Sequence, residues 1–165
     1  MATQHGRFSM RAVAPDGYEA MSGLQRFVSQ SSLPRSLVQL VEMRASQINR
    51  CAYCLDMHSK DAVALGVPSE KLYVLEAWRE APFYTERERA ALEWTEALTL
   101  IAASGVPDEA YRVARAQFSE RELAELTMLI VTINGWNRIA IGTRMEPGHY
   151  RSRLSPEPES EATIG

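Results

Sequence analysis

Cys51-Ala52-Tyr53-Cys54-Leu55-Asp56-Met57-His58 holds both cysteines and one of the three histidines of the 165-residue chain. The spacing predicts a helix from about Cys51 to Gly66, where glycine suits a left-handed cap. Successive helical residues turn by about 100°, which puts Cys54 and His58 about 60° and 20° from Cys51 around the axis. All three groups then share one face, a layout for thiol chemistry or for a metal.

The flanking sequence is helical as well. Upstream, Leu37, Leu40, Val41, Ala45 and Ile48 form the apolar stripe of a helix that follows Leu33-Pro34 and ends near Asn49. Before it, Met21, Leu24, Phe27 and Val28 mark a helix over about 18–30, and Pro15-Asp16-Gly17 reads as a turn closing an irregular arm. Downstream, a helix capped by Ser69 buries Leu72, Leu75 and Trp78 and stops before Pro82. Thr85-Glu86-Arg87-Glu88 and Ser119-Glu120-Arg121-Glu122 are capping boxes. The first opens a helix with Ala91, Leu92, Thr95, Leu98, Leu100 and Ile101 towards the core. Gly105-Val106-Pro107-Asp108 ends that helix and caps a shorter one reaching about Phe118. The second box opens a helix through Leu123, Leu126, Leu129, Ile133, Trp136 and Ile141, apolar more than halfway round and therefore central or at a subunit interface. No segment alternates like a strand. The expected architecture is all-α, a single domain of about seven helices over 18–146, with an arm at 1–17 and a polar tail at 147–165.

Length and a 45% hydrophobic content suit one core without a disulfide staple. The formal charge of -3, with its cations dispersed, offers no stripe for neutralising phosphates, so nucleic acid is not an expected partner. With no bilayer-length apolar segment and no signal-type leader, no membrane partner is expected either, and the expected location is the cytoplasm. Cysteines paired this closely in a cytosolic chain serve redox chemistry or metal binding more often than stapling.

A thiol is a nucleophile as its thiolate, which is favoured in the first turn of a helix and beside a cation such as Arg50. His58, four residues after Cys54, is placed to take its proton or to hold the thiolate as an ion pair. Either sulfur can then attack and the other resolve. A peroxide gives the cluster a complete cycle: thiolate attack, sulfenic acid, condensation to a disulfide, and reduction by an outside dithiol. Zinc is the competing reading, but Cys51, Cys54 and His58 make only three ligands, leaving Glu42, His5, His149 or water for the fourth. Glu42 in Val41-Glu42-Met43-Arg44 is either a surface carboxylate paired with Arg44 or Arg35, or a proton acceptor held near the thiols. Tyr53 is a phenolic donor or a core aromatic.

The run Leu40-Val41-Glu42-Met43-Arg44-Ala45-Ser46-Gln47-Ile48-Asn49-Arg50 followed by the Cys51–His58 segment resembles the AhpD-like alkylhydroperoxidase branch of the carboxymuconolactone decarboxylase superfamily. Thr132-Ile133-Asn134-Gly135-Trp136-Asn137-Arg138-Ile139-Ala140 is similar to its closing helix, so the resemblance spans about 18–142. It implies an all-helical domain assembling as a homo-oligomer, a trimer or hexamer, that reduces hydrogen peroxide or organic hydroperoxides without a cofactor. It further implies that Cys54 attacks, Cys51 resolves and His58 relays protons with a glutamate. The implied reductant is a lipoyl-bearing protein acting through an adaptor. The best-known relatives carry that glutamate one helical turn upstream, where this chain has Gln39. Glu42 is the nearest carboxylate, and the displacement of about 5.4 Å calls for a different relay geometry or a bridging water. Tyr53 replaces a second histidine, and Arg50 stands where a glycine is common. Lactone decarboxylases of the superfamily lack the dithiol. The residues assigned to the site are thus Cys51, Cys54, His58 and Glu42, and the alternatives kept open are a general dithiol-disulfide oxidoreductase or redox sensor and a zinc-stabilised scaffold.

Overall fold

Two helices, Arg35–Asn49 and Glu120–Thr143, form the centre of the molecule in a computed structural model that describes residues 6–154, apart from the side chain of Ser104. In chain order the helices are α1 (Met10–Val13), α2 (Pro15–Ser29), α3 (Arg35–Asn49), α4 (Ala52–Ala64), α5 (Ser69–Tyr73), α6 (Glu86–Thr99), α7 (Ile101–Ser104), α8 (Asp108–Gln117) and α9 (Glu120–Thr143), with a 3₁₀ turn at Leu75–Ala77. Among the described residues there is no strand. The all-α expectation holds, with nine helices among the described residues rather than about seven.

The extra helices have local causes. Pro15-Asp16-Gly17 is the first turn of α2 rather than a loop turn: Pro15 sits at the first helical position, where its missing N–H costs nothing, and Asp16 faces the positive helix end. The arm before it is not wholly irregular, since Ser9 caps α1 by accepting from Ala12 N. The helix expected to run through Ile101 breaks at Leu100, and Leu100 and Ile101, expected on the core side, are exposed. Pro34 and Pro68 occupy the cap positions of α3 and α5, so Ser69 is the first residue of α5 rather than its cap. Ser32, in the loop before α3, gives its N–H and hydroxyl to the buried carboxylate of Glu125 at 2.9 and 2.7 Å.

Both capping boxes form, Thr85 with Glu88 and Ser119 with Glu122. α3 packs against α4, α6 and α9, and α2 and α4 also lie on α9. Where α2 crosses α9, a Cβ on Gly135 would stand 2.8 Å from Met21 Cε. The missing side chain leaves room for the Met21 thioether, and on the same pair of helices the Tyr18 ring stands edge-on to Trp136, centroids 5.4 Å apart. The apolar core divides into a part under α6, α8 and the first half of α9, with Leu37, Trp94, Leu126 and Ile130, and a part between α3, α5 and α6, with Leu40, Leu72, Leu75 and Trp78. A small third cluster joins Ala45, Ile133 and Ala140 to the two cysteines. Residues 147–154, expected within a polar tail, lie on α4 through Gly148 and Tyr150, while the more acidic stretch beyond them is outside the described residues. Among the described residues no helix is long and apolar enough to cross a membrane.

Candidate dithiol site

α3 and α4 meet at a two-residue elbow. Arg50 takes a left-handed conformation (φ 58, ψ 42) and closes α3, and Cys51 N donates to Ser46 O at 2.9 Å. A non-glycine residue pays roughly 1–2 kcal/mol for that conformation. Cys51 then caps α4, with its sulfur accepting from Cys54 N at 3.4 Å. Cys51 therefore stands just outside the first turn rather than within it, still against the unpaired N–H groups of the helix.

Both cysteines are free thiols, each 1% exposed, and their sulfurs lie 2.8 Å apart. The hydrogen bond with the Cys54 thiol, opposed by burial and aided by Cys54 N–H and the His58 charge, brings Cys51 down to about 7. The same bond and burial push Cys54 above the ordinary thiol range. The hydrogen bond between the thiols thus favours the thiolate at Cys51, while Cys54 lines a neighbouring cavity of about 730 Å³.

His58 Nδ1 has two acceptors on α3, Gln39 Oε1 at 2.9 Å and Glu42 Oε2 at 3.1 Å. Its N–H is committed to them, which leaves Nε2 as the nitrogen able to exchange a proton. Burial disfavours the imidazolium, but the Glu42 carboxylate and then the charges of Asp61 and Cys51 outweigh it and raise His58 above its ordinary value. Glu42 is not a surface group paired with Arg44, which bonds Glu96; it is 2% exposed and reaches the imidazole without a bridging water. Gln39 and Glu42 are one turn apart on the same face of α3, so both reach one nitrogen.

Several contributors were not singled out in the sequence. Asn137, fully buried on α9, donates to Ser46 Oγ at 3.0 Å and accepts from Asn49 Nδ2 at 2.8 Å. Its side chain also favours the thiolate form of both cysteines. An amide on the buried face of an otherwise apolar helix is the signal that could have marked it. Asp61, one turn after His58, lines the cavity with Gln39, Glu42 and Cys54 on its polar side; Tyr18, Tyr53, Met57 and Trp136 line the apolar side. Tyr53 is thus a half-buried wall residue, its phenol raised first by burial. His149 is exposed, 4.0 Å from Glu146, and His5 lies outside the described residues. Among the described residues no three His, Cys, Asp or Glu side chains are grouped to hold a metal.

The sequence profile of the carboxymuconolactone decarboxylase family matches residues 15–97. YdfG of Bacillus subtilis (strain 168), an uncharacterised protein, is 42% identical over 135 residues, which span 82% of this chain and 92% of its own. A crystal structure from Agrobacterium tumefaciens, of a protein of unknown function named as a candidate AhpD antioxidant defence protein, superposes with a TM-score of 0.85. It is 39% identical, over 88% of this chain and 99% of its own. The debrominase Bmp8 shares the fold at a TM-score of 0.72 and 23% identity, over 82% of this chain and 73% of its own. The chain belongs to the carboxymuconolactone decarboxylase family, as an AhpD-like member.

Proposed function

We propose that the protein is a cofactor-free thiol peroxidase that reduces hydrogen peroxide or organic hydroperoxides. The observation that carries this reading is the pair of sulfurs 2.8 Å apart at a cavity, beside an imidazole whose Nδ1 is tied to Glu42. The proton on Cys54 passes to Cys51, which exposes a thiolate to the cavity. Cys54 attacks the terminal peroxide oxygen, the O–O bond breaks, and the imidazolium at His58 protonates the departing alkoxide. Cys51 then displaces hydroxide from the Cys54 sulfenic acid, its own proton leaving with that oxygen as water. The dithiol loses two electrons and the peroxide gains them. An external dithiol closes the cycle; a lipoyl-bearing protein reached through an adaptor is the carrier we infer, and a trimer or hexamer the assembly. The exposed Val131 and Ile141 on the outer side of α9 suit such an assembly.

The test is consumption of cumene hydroperoxide with dithiothreitol as reductant. Cys54→Ser is expected to lose at least a hundredfold in rate, and Cys51→Ser to stall as a dimedone-reactive sulfenic acid on Cys54; equal rates in all three proteins would overturn the reading. The same assay with a brominated pyrrole separates peroxide chemistry from the halogen chemistry of Bmp8.

A further inference from the structure

The peroxidase cycle leaves one buried carboxylate of the cavity unused. Asp61 is 7% exposed, lies one turn beyond His58 on α4, and lines the same cavity as Cys54 and His58. A carboxylate withdrawn from water needs donors. Tyr150, 89 residues away in the segment that follows α9, supplies its hydroxyl to Oδ1 at 2.8 Å and to Oδ2 at 3.0 Å. Burial and this bond raise the Tyr150 phenol to about 12, so it remains a donor across the neutral range.

The segment is pinned to α4 twice more. Gly148 N donates to Asp56 Oδ2 at 3.0 Å, and Lys60, paired with Asp56 at 2.7 Å, donates to Tyr150 O at 3.3 Å. Met145 and Leu154 bracket these anchors, and both contribute apolar side chains to the cavity. The anchors therefore hold ordinary, irregular backbone in a place where it becomes wall.

We propose that Tyr150 and Asp61 are positioning residues of the dithiol site: their hydrogen bonds seat the segment after α9 on α4, so that Met145 and Leu154 form the wall that receives the organic body of a hydroperoxide. The identity of the substrate rests on the peroxidase reading; the wall itself does not. A cavity of this size far exceeds a hydrogen peroxide molecule and falls in the range that encloses ligands with a sizeable apolar body.

The experiment uses the full chain and two variants, Tyr150→Phe, which removes only the anchoring hydroxyl, and Leu154→Ala, which leaves the anchor alone. Binding of cumyl alcohol, the product of cumene hydroperoxide, is read by quenching of Trp136, a residue of the same wall. Each variant is expected to weaken the Kd at least threefold and to raise KM for cumene hydroperoxide at least threefold more than for hydrogen peroxide. Unchanged Kd in both variants, no binding by the wild type, or a parallel loss towards both peroxides would overturn the proposal, the last because it marks a role in stability alone. If the variants weaken cumyl alcohol binding while no form of the protein consumes peroxide, the wall stands and the peroxidase reading falls.

Discussion

The two halves of α9 run through different interiors. Its first half, with Leu123, Leu126, Leu129 and Ile130, packs in an apolar interior against Leu37, Ala91, Trp94 and Phe118. Its second half turns Asn137 towards Ser46, Asn49 and the cysteines, near Glu42 and His58. The first region gains from burial alone, roughly 25 cal/mol per Å². The second gives up part of that gain, because each buried polar group must be matched, and among the described residues no fully buried side-chain N or O lacks a partner. The contrast teaches a division of labour: α9 draws stability from its apolar half and spends it on holding charges around a dithiol.

Glu42→Gln breaks the polar half most sharply. Loss of the carboxylate behind His58 is expected to reduce peroxide turnover by roughly a hundredfold or more, the usual worth of a general acid–base group. Since Gln39 and Glu42 meet the same Nδ1, adding Gln39→Glu should restore most of the rate. Failure of the double variant, measured in the same assay, would show that the two positions are not equivalent. The apolar half is broken by Leu126→Ala, expected to cost about 2–5 kcal/mol in urea unfolding. The thiolate titration of Cys51 near 7 should stay in place, because well-separated sites act additively.

The charge balance gives a smaller effect with a definite sign. His58 binds its proton more tightly folded than unfolded. Its contribution to stability is whole below the unfolded value of about 6.5 and is lost as pH rises through the raised folded value. In a background with both cysteines replaced by serine, so that no thiolate titrates in the same window, Asp61→Asn should lower the His58 pKa seen by NMR. It should also shift that loss of stability to lower pH; an unmoved His58 titration would remove Asp61 from the charge balance. The smallest effect belongs to the elbow. Arg50→Gly is expected to gain about 1 kcal/mol by relieving the left-handed strain, read as a higher urea midpoint.

The same division explains what could be read from the sequence. Helical periodicity and the boxes at Thr85 and Ser119 report local physics, and those helices stand close to where the pattern puts them. The shared face of Cys54 and His58 is local too. Pro15-Asp16-Gly17 reads as a turn or as a helix start; Pro15 and Asp16 suit the helix start locally, and the packing of α2 on α9 adds to it. Glu42 could not be placed because its partner lies across the elbow, in another helix. Asn137 and Tyr150 were hidden for the same reason at greater range: each meets its partner about 90 residues away, where no periodicity reaches.

The elbow has one more consequence. With only Arg50 and Cys51 between α3 and α4, the chain has no slack to absorb a change of length. One residue inserted between Glu42 and Arg50 would swing the carboxylate by about 100° and carry it off the imidazole. Substitutions at Gln39 and Glu42 can trade places along a helix face, but insertions and deletions cannot be repaired nearby. The segment is a gauge of fixed length, open to changes of letter and closed to changes of count.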